Sequence, residues 1–347
     1  MAERLVQQLK RGCAMQKKYD VTALGEILID FTAAGKNADG KNIYEENPGG
    51  APANCAAAVA KLGGTSSFIG MTGEDSFGKD LKAALENVNV DTSGMRTTKM
   101  QHTTLAFVSL DQNGERNFSF CRNPGADTCL SPSDLDRDIL TSTKFLQLGS
   151  LSLTDEPSAS AQMEAVRIVK QAGGFISYDP NYRERLWGGR KDALEKMKSM
   201  LSFSDMVKIS DEELALFFGK DISYAEGAAL IHECGVRLVL VTLGSRGVYY
   251  SAKGSDEVFS GTIAVPSVNV VDTTGAGDSF TGGLLYALTR RENPFVFGRE
   301  EIERDISFAN CVASLCVTKR GAIPALPTLG DVLNFSKEFN IILPLWI

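Results

Sequence analysis

Residues 19–31 read YDVTALGEILIDF, followed by PANCAAAVAKLG at 52–63, SSFIGMTG at 66–73 and SFGKDLKAALENV at 76–88. The first and third runs are apolar and strand-like; the second and fourth carry helical spacing. Such alternation is the signature of βα units and a parallel sheet. The rhythm returns at KFLQLGSLSL (144–153), EPSASAQMEAVRIVKQAG (156–173), GFISYDP (174–180), MVKIS (206–210), EELALFF (212–218), AEGAALIHECG (225–235) and VRLVLVTLG (236–244). Two helices of small residues near 277–290 and 301–318 close it. The expected core is a three-layer α/β/α domain with a mostly parallel central sheet.

Two passages break the rhythm. Residues 31–48 (FTAAGKNADGKNIYEENP) are rich in Gly and Asn, and TLAFVSLDQNGERNFSFCR at 104–122 reads as two strands around a turn at Asn113-Gly114. The pattern fits a small β-sheet lid standing off the main domain, or a plain surface hairpin. Residues 1–18 form an extension of uncertain structure, in which Met15 could be the native start, and the main domain is expected over 19–335.

Composition narrows the function classes. Of the 347 residues, 43% are hydrophobic and 23% charged, the balance of a folded globular chain. A formal net charge of −7 supplies no basic surface for nucleic acid or an anionic membrane. Seven cysteines, without C-x-x-C spacing, suit a reducing compartment, and two histidines offer no zinc constellation. No apolar run reaches the roughly 20 residues of a membrane span, and the basic N-terminus lacks a secretory h-region, so a cytoplasmic location is expected.

The chemistry concentrates in VDTTGAGDSF at 271–280. Gly275, Ala276 and Gly277 stand where a loop enters a helix, and first-turn amides with the helix dipole favour an anion there. Asp278 follows directly. A carboxylate at that place is also simply a good helix-start residue. Asp272, Thr273 and Thr274 add more polar groups than a cap requires. A base beside an anion hole points to phosphoryl transfer to an alcohol. The G-x-x-x-x-G-K-[ST] loop and the spaced dinucleotide fingerprint are both missing. Further up the chain, NPGGAPANCAAAVAKLGG (47–64) puts Gly49 and Gly50 before an alanine-rich helix with Asn54 in its first turn. This is a tight glycine turn or a mixed donor and acceptor site for a sugar. Asp30 ends the apolar run GEILIDF, where ligands bind in open parallel sheets or where a strand is merely solvated.

NPGGAPAN, GEDSFGKDL, DPNYRERLW, VDTTGAGDSF and FANCVASLCVTKRGAIPALP, in this order, resemble the ribokinase-like (PfkB) carbohydrate kinases, and among them the fructokinases, over about residues 20–330. The resemblance implies an ATP-dependent phosphorylation of D-fructose at its 6-hydroxyl. It makes Asp278 the catalytic base, with Gly275, Ala276 and Gly277 as the anion hole. Asp30, Gly49, Gly50 and Asn54 become sugar contacts, covered by Phe107, Phe120 and Arg122 of the lid. Arg183 would reach substrate or the transferring phosphate. Lys208, Thr242, Gly244, Gly247 and Asn310 would hold ATP. Glu213 would place magnesium through water, in a motif where Ser210 replaces the family's asparagine. Asp272 and Thr274 would bind a monovalent cation, usually potassium. A homodimer through the lids is a further expectation. The alternatives are a kinase for 2-keto-3-deoxygluconate or aminoimidazole riboside, or a sugar sensor without turnover.

Overall fold

The computed structural model describes residues 17–110, 116–187, 189–254 and 257–346. The Asn113-Gly114 turn and most of the N-terminal extension therefore lie outside the described residues.

The strands in chain order are β1 (Tyr19–Leu24), β2 (Leu28–Lys36), β3 (Asn42–Gly49), β4 (Ser66–Gly73), β5 (Met95–Thr98), β6 (Leu105–Leu110), β7 (Arg116–Cys121), β8 (Thr143–Leu148), β9 (Phe175–Tyr178), β10 (Met206–Ser210), β11 (Leu238–Thr242), β12 (Val248–Lys253) and β13 (Val258–Ile263). The helices are α1 (Ala51–Lys61), α2 (Ser76–Glu86), α3 (Arg137–Thr141), α4 (Ser158–Gln171), α5 (Arg190–Ser199), α6 (Asp211–Phe218), α7 (Tyr224–Glu233), α8 (Ala276–Thr289), α9 (Arg299–Cys316) and α10 (Leu329–Glu338).

Nine strands form the main sheet in the order β13-β12-β11-β10-β9-β8-β1-β4-β5. It is parallel from β11 to β5, and β12 and β13 add antiparallel at one edge. Side chains alternate across it as strand geometry demands. Val239 and Val241 of β11 join the core beneath α4, α6 and α7, while Leu238 and Leu240 join the core beneath α8 and α9. This is the expected three-layer domain.

The second sheet has the order β3-β2-β6-β7, so the lid is four-stranded and both irregular passages contribute a pair to it. One expectation is corrected here. The apolar run 19–31 is two strands in two sheets, because Gly25 takes φ 152° and turns the chain from β1 into β2. A Cβ at Gly25 would lie 2.7 Å from Pro52 Cγ, which keeps the bend glycine-only. Asp30 thus stands on a lid strand, not at the end of a main-sheet strand.

What positions the site is the approach of α1 to α8. A Cβ at Gly282 would fall 2.6 Å from Ala58 Cβ and 2.9 Å from the Cys55 carbonyl oxygen, so the two helices touch backbone to backbone. Asn54 lies four residues before Ala58 and Asp278 four before Gly282. Residues four apart share a helix face, so the contact that joins Ala58 to Gly282 also brings Asn54 to Asp278.

Candidate active site

Two cavities meet at one loop. The first, about 240 Å³, is walled by the lid through Asp30, Thr32, Val108 and Phe120, and by the main domain through Glu26, Asn54, Arg183, Lys208 and Asp278. The second, about 440 Å³, runs from Thr242, Gly244 and Gly247 to Asn310 and is lined chiefly by valines and other apolar groups. Thr273, Ala276 and Gly277 border both.

Asp272 braces that loop. Its Oδ1 accepts the Thr274 amide (2.9 Å) and hydroxyl (2.8 Å), and its Oδ2 accepts the Gly321 amide at 3.0 Å. Gly275 caps α8 with φ 75°, where a Cβ would lie 2.7 Å from Ala322 Cβ; the left-handed turn and the close neighbour both require glycine. The amide of Ala276 reaches the Thr273 carbonyl at 3.3 Å. Those of Gly275 and Gly277 have no protein acceptor among the described residues, the condition under which a helix N-terminus can receive an anion.

Asn54 Nδ2 donates to Asp278 Oδ2 at 2.8 Å. Burial raises the Asp278 carboxyl above its ordinary value, against the Asn54 hydrogen bond and the Lys208 charge, which hold it down. The result is a fixed carboxylate more basic than an exposed one. Lys208 pairs with Asp179 at 2.6 Å, both buried. Burial opposes its charge, but Asp179 and then Glu213 outweigh that and keep the ammonium protonated above the ordinary lysine value. A Cβ at Gly277 would lie 2.9 Å from Lys208 Nζ, so the cation sits directly beneath the anion loop. Glu213 Oε1 accepts the Tyr182 amide (2.7 Å) and Oε2 the Ser210 amide (2.9 Å). Burial, then Asp179, raises its carboxyl, with Lys208 and those amides opposing.

Several expected residues fall elsewhere. Lys208 lines the first cavity and not the groove of Thr242, Gly244, Gly247 and Asn310. Phe107 lies on the far face of the lid. It pairs with Phe31 in the register that sets Ala106 opposite Asp30 and Val108 opposite Thr32, and strand alternation puts Asp30, Thr32 and Val108 on the cavity side. Phe107 stacks on Phe31 with centroids 5.1 Å apart. Arg122 is buried as a hinge clamp: Nε donates to Asp127 at 2.8 Å, Nη1 to Thr154 and Nη2 to the Leu151 carbonyl. Gly49 lines neither cavity but lies under Asp30, whose Oδ2 would be 2.2 Å from a Cβ there. Missed on the sequence were Glu26, Thr32, Val108 and Asn181. Asn181 carried a signal within DPNYRERLW, and it adopts φ 44°.

The fold and these joined cavities define a small-molecule phosphotransferase of the α/β/α type. The chain belongs to the pfkB family of carbohydrate kinases, whose profile it matches over residues 18–329. It is 41% identical over 320 residues to probable fructokinase-2 of Arabidopsis thaliana, covering 91% of this chain and 95% of that one. The fructokinase of Xylella fastidiosa, solved with bound ATP, superposes with a TM-score of 0.84 at 32% identity, covering 93% of this chain and 99% of that one. A fructokinase double mutant from Vibrio cholerae O395, in a form with fructose, ADP and potassium ion bound, gives a TM-score of 0.81 at 32% identity, with coverage of 92% and 99%.

Proposed function

We propose that the chain is an ATP-dependent fructokinase that converts D-fructose to fructose 6-phosphate. The observation that carries the reading is the meeting of an acceptor-rich cavity and an apolar cavity at the Thr273–Gly277 loop, with a buried base on the acceptor side. Fructose occupies the first cavity and ATP the second. Asp278 takes the proton of the attacking hydroxyl while the new O–P bond forms and the bond to the leaving ADP breaks. The Gly275 and Gly277 amides and Lys208 hold the charge of the phosphoryl group in transit. Arg183, exposed at the cavity rim, adds a second cation.

Magnesium, when bound with ATP, neutralises phosphate charge. Glu213 fits a role through water, because both its oxygens already accept backbone amides. Asp272 spends Oδ1 on Thr274 and one lone pair of Oδ2 on Gly321. A monovalent cation at this loop would take Asp272 and its neighbour Thr274 as partners; potassium is the ion bound in the Vibrio relative.

Sugar acids fit poorly. Glu26, Asp30 and Asp278 bring three carboxyl groups to the first cavity, and of its cations Lys208 is committed to Asp179. A neutral polyol suits that wall better than 2-keto-3-deoxygluconate. A sensor without turnover has no use for a buried base. No helix among the described residues is long and apolar enough to cross a membrane, and we place the enzyme in the cytoplasm, where ATP and thiols coexist. On the lid's far face, Phe31, Phe107 and the exposed Tyr44 form an aromatic patch that a second lid would cover; a monomer in sedimentation equilibrium at micromolar concentration would exclude such a dimer.

The test is ADP release with ATP, magnesium and potassium against fructose, ribose, glucose, 2-keto-3-deoxygluconate and aminoimidazole riboside. Preference for fructose is expected. Preference for another sugar would move the substrate while keeping the kinase, and silence across the panel would overturn the reading.

A further inference from the structure

Glu26 has no part in the chemistry above, yet it is the residue on which the cavity wall turns. It stands in the bend between β1 of the main sheet and β2 of the lid, lines the first cavity and is 4% exposed. Its Oε1 accepts the amide of Ala51, the first residue of α1, at 3.2 Å. Its Oε2 is buried and has no hydrogen-bond partner among the described residues. The backbone around it has no slack: a Cβ at Gly50 would lie 2.5 Å from the Glu26 carbonyl oxygen. Buried polar atoms almost always have partners, and one left over in a native structure points to something that binds it.

The surroundings narrow what that partner is. Asn54, in the same cavity, also keeps a buried oxygen without a partner, its Oδ1. Two unspent acceptors on one wall call for donors, and a neutral sugar offers hydroxyls. Ala51 anchors Glu26 and Asn54 anchors Asp278, and these two residues are three apart on α1, about 4.5 Å along the helix axis. Glu26 and Asp278 are therefore held at different points of that helix, and a sugar lying along the wall offers each a different hydroxyl. Burial pushes the Glu26 carboxyl up to about 7; its own backbone amide, Arg122 and the Ala51 amide oppose this, and Asp127 adds to it. Such a group meets a hydroxyl without the full desolvation cost of a fixed charge.

We propose that Glu26 is a specificity-determining sugar contact whose Oε2 accepts a hydrogen bond from a hydroxyl other than the one phosphorylated. The inference rests on the carbohydrate-kinase reading and adds to it the residue that recognises the body of the sugar.

The experiment is a substrate-deletion cycle read by equilibrium binding. Fructose and its 1-deoxy, 3-deoxy and 4-deoxy analogues are titrated calorimetrically into the wild-type protein and into Glu26→Ala, with thermal melts to verify folding. For the wild type, one analogue binds about 10- to 100-fold more weakly than fructose because Glu26 loses its donor. In Glu26→Ala, fructose itself is weakened to a similar degree and that same analogue loses little more. Glu26→Gln keeps the shape and the acceptor for Ala51, so it carries the same cycle should the alanine variant fail to fold, with a smaller loss for fructose. A uniform loss across all four ligands in a folded variant overturns the proposal and marks Glu26 as a structural cap. Coupling to one hydroxyl in a protein that releases no ADP would sustain the contact while overturning the kinase, and a wild type that binds no fructose overturns both.

Discussion

Replacing Gly49 by alanine tests the sugar site indirectly, through the one cavity carboxylate that the added methyl would displace. The added Cβ would sit 2.2 Å from Asp30 Oδ2, 3.1 Å from its Cγ and 3.4 Å from Leu28 Cδ1. Gly49 does not have a left-handed φ, so the backbone tolerates the methyl. What must move is the Asp30 carboxylate, the terminal group of a side chain and not backbone. Turning it off its preferred rotamer costs the fold about 0.5–1.5 kcal/mol, a fall in Tm of no more than about 5 °C. The cost to function is larger. A hydrogen bond to a charged group is worth about 1.5–3 kcal/mol, so displacing the carboxylate should lower kcat/KM for fructose by about 10- to 150-fold. Steady-state kinetics with fructose and ATP varied separately, alongside a melt, should show the sugar KM rising while the ATP KM holds. The double variant Gly49→Ala, Asp30→Ala should be no worse than Asp30→Ala alone, because both changes remove one carboxylate. Wild-type kcat/KM in Gly49→Ala, or losses that simply add in the double variant, would refute the reasoning.

Asp278→Asn should lower kcat by about 10²- to 10⁴-fold with the sugar affinity nearly kept, and near-full turnover would remove Asp278 as the base. The same variant should flatten the pH dependence of stability. Asp278 holds its proton more tightly folded than unfolded, so its contribution falls as pH rises from the ordinary carboxylate value through the raised one. Calorimetric melts across that window check it, and an unchanged slope would count against a buried, raised carboxyl. Asn54→Ala removes the hydrogen bond that holds Asp278 down. The acid limb of its kcat profile should move to higher pH with partial recovery on the alkaline side, and a limb that stays in place would show that Asn54 does not tune the base.

The main sheet and the loop at which the two cavities meet were legible because both are written in short range. Alternating βα patterning needs a few tens of residues, and Thr273 to Asp278 needs six. The lid was half legible. Its strands could be read, but which face looked inward depends on the pairing of β2 with β6, and a one-residue difference in register exchanges the faces. Phe107 was assigned inward and lies outward, whereas Val108 lines the cavity. Arg122 and Lys208 were hard to place for another reason. Each is a buried cation whose partner, Asp127 or Asp179, decides where it points, and pairing of that kind leaves no periodic trace. Glu26 escaped notice because GEILIDF reads as one apolar strand, and only the bend at Gly25 gives Glu26 a place of its own.

The packing of α1 on α8 explains why Asn54 and Asp278, the base of the proposed mechanism and its partner, belong to two helices and not to loops. Asn54 and Asp278 are each one turn from the Ala58–Gly282 contact, so their separation is set by a close approach of two helix backbones. The anion loop is tied from its other side, by Asp272 to Gly321 and by Gly275 against Ala322. The base and anion hole of the proposed mechanism are therefore held in place by the fold itself, as electrostatic preorganisation requires. The sugar wall differs: Asp30 rides on the lid, while Glu26 lies at the bend between the two sheets and Asn54 Oδ1 has no partner among the described residues. A sugar that satisfies those acceptors bridges the lid to the rigid half. Recognition of hydroxyls and closure over the reacting atoms are then one event, and water, which cannot span both walls, is a poor substitute for the substrate.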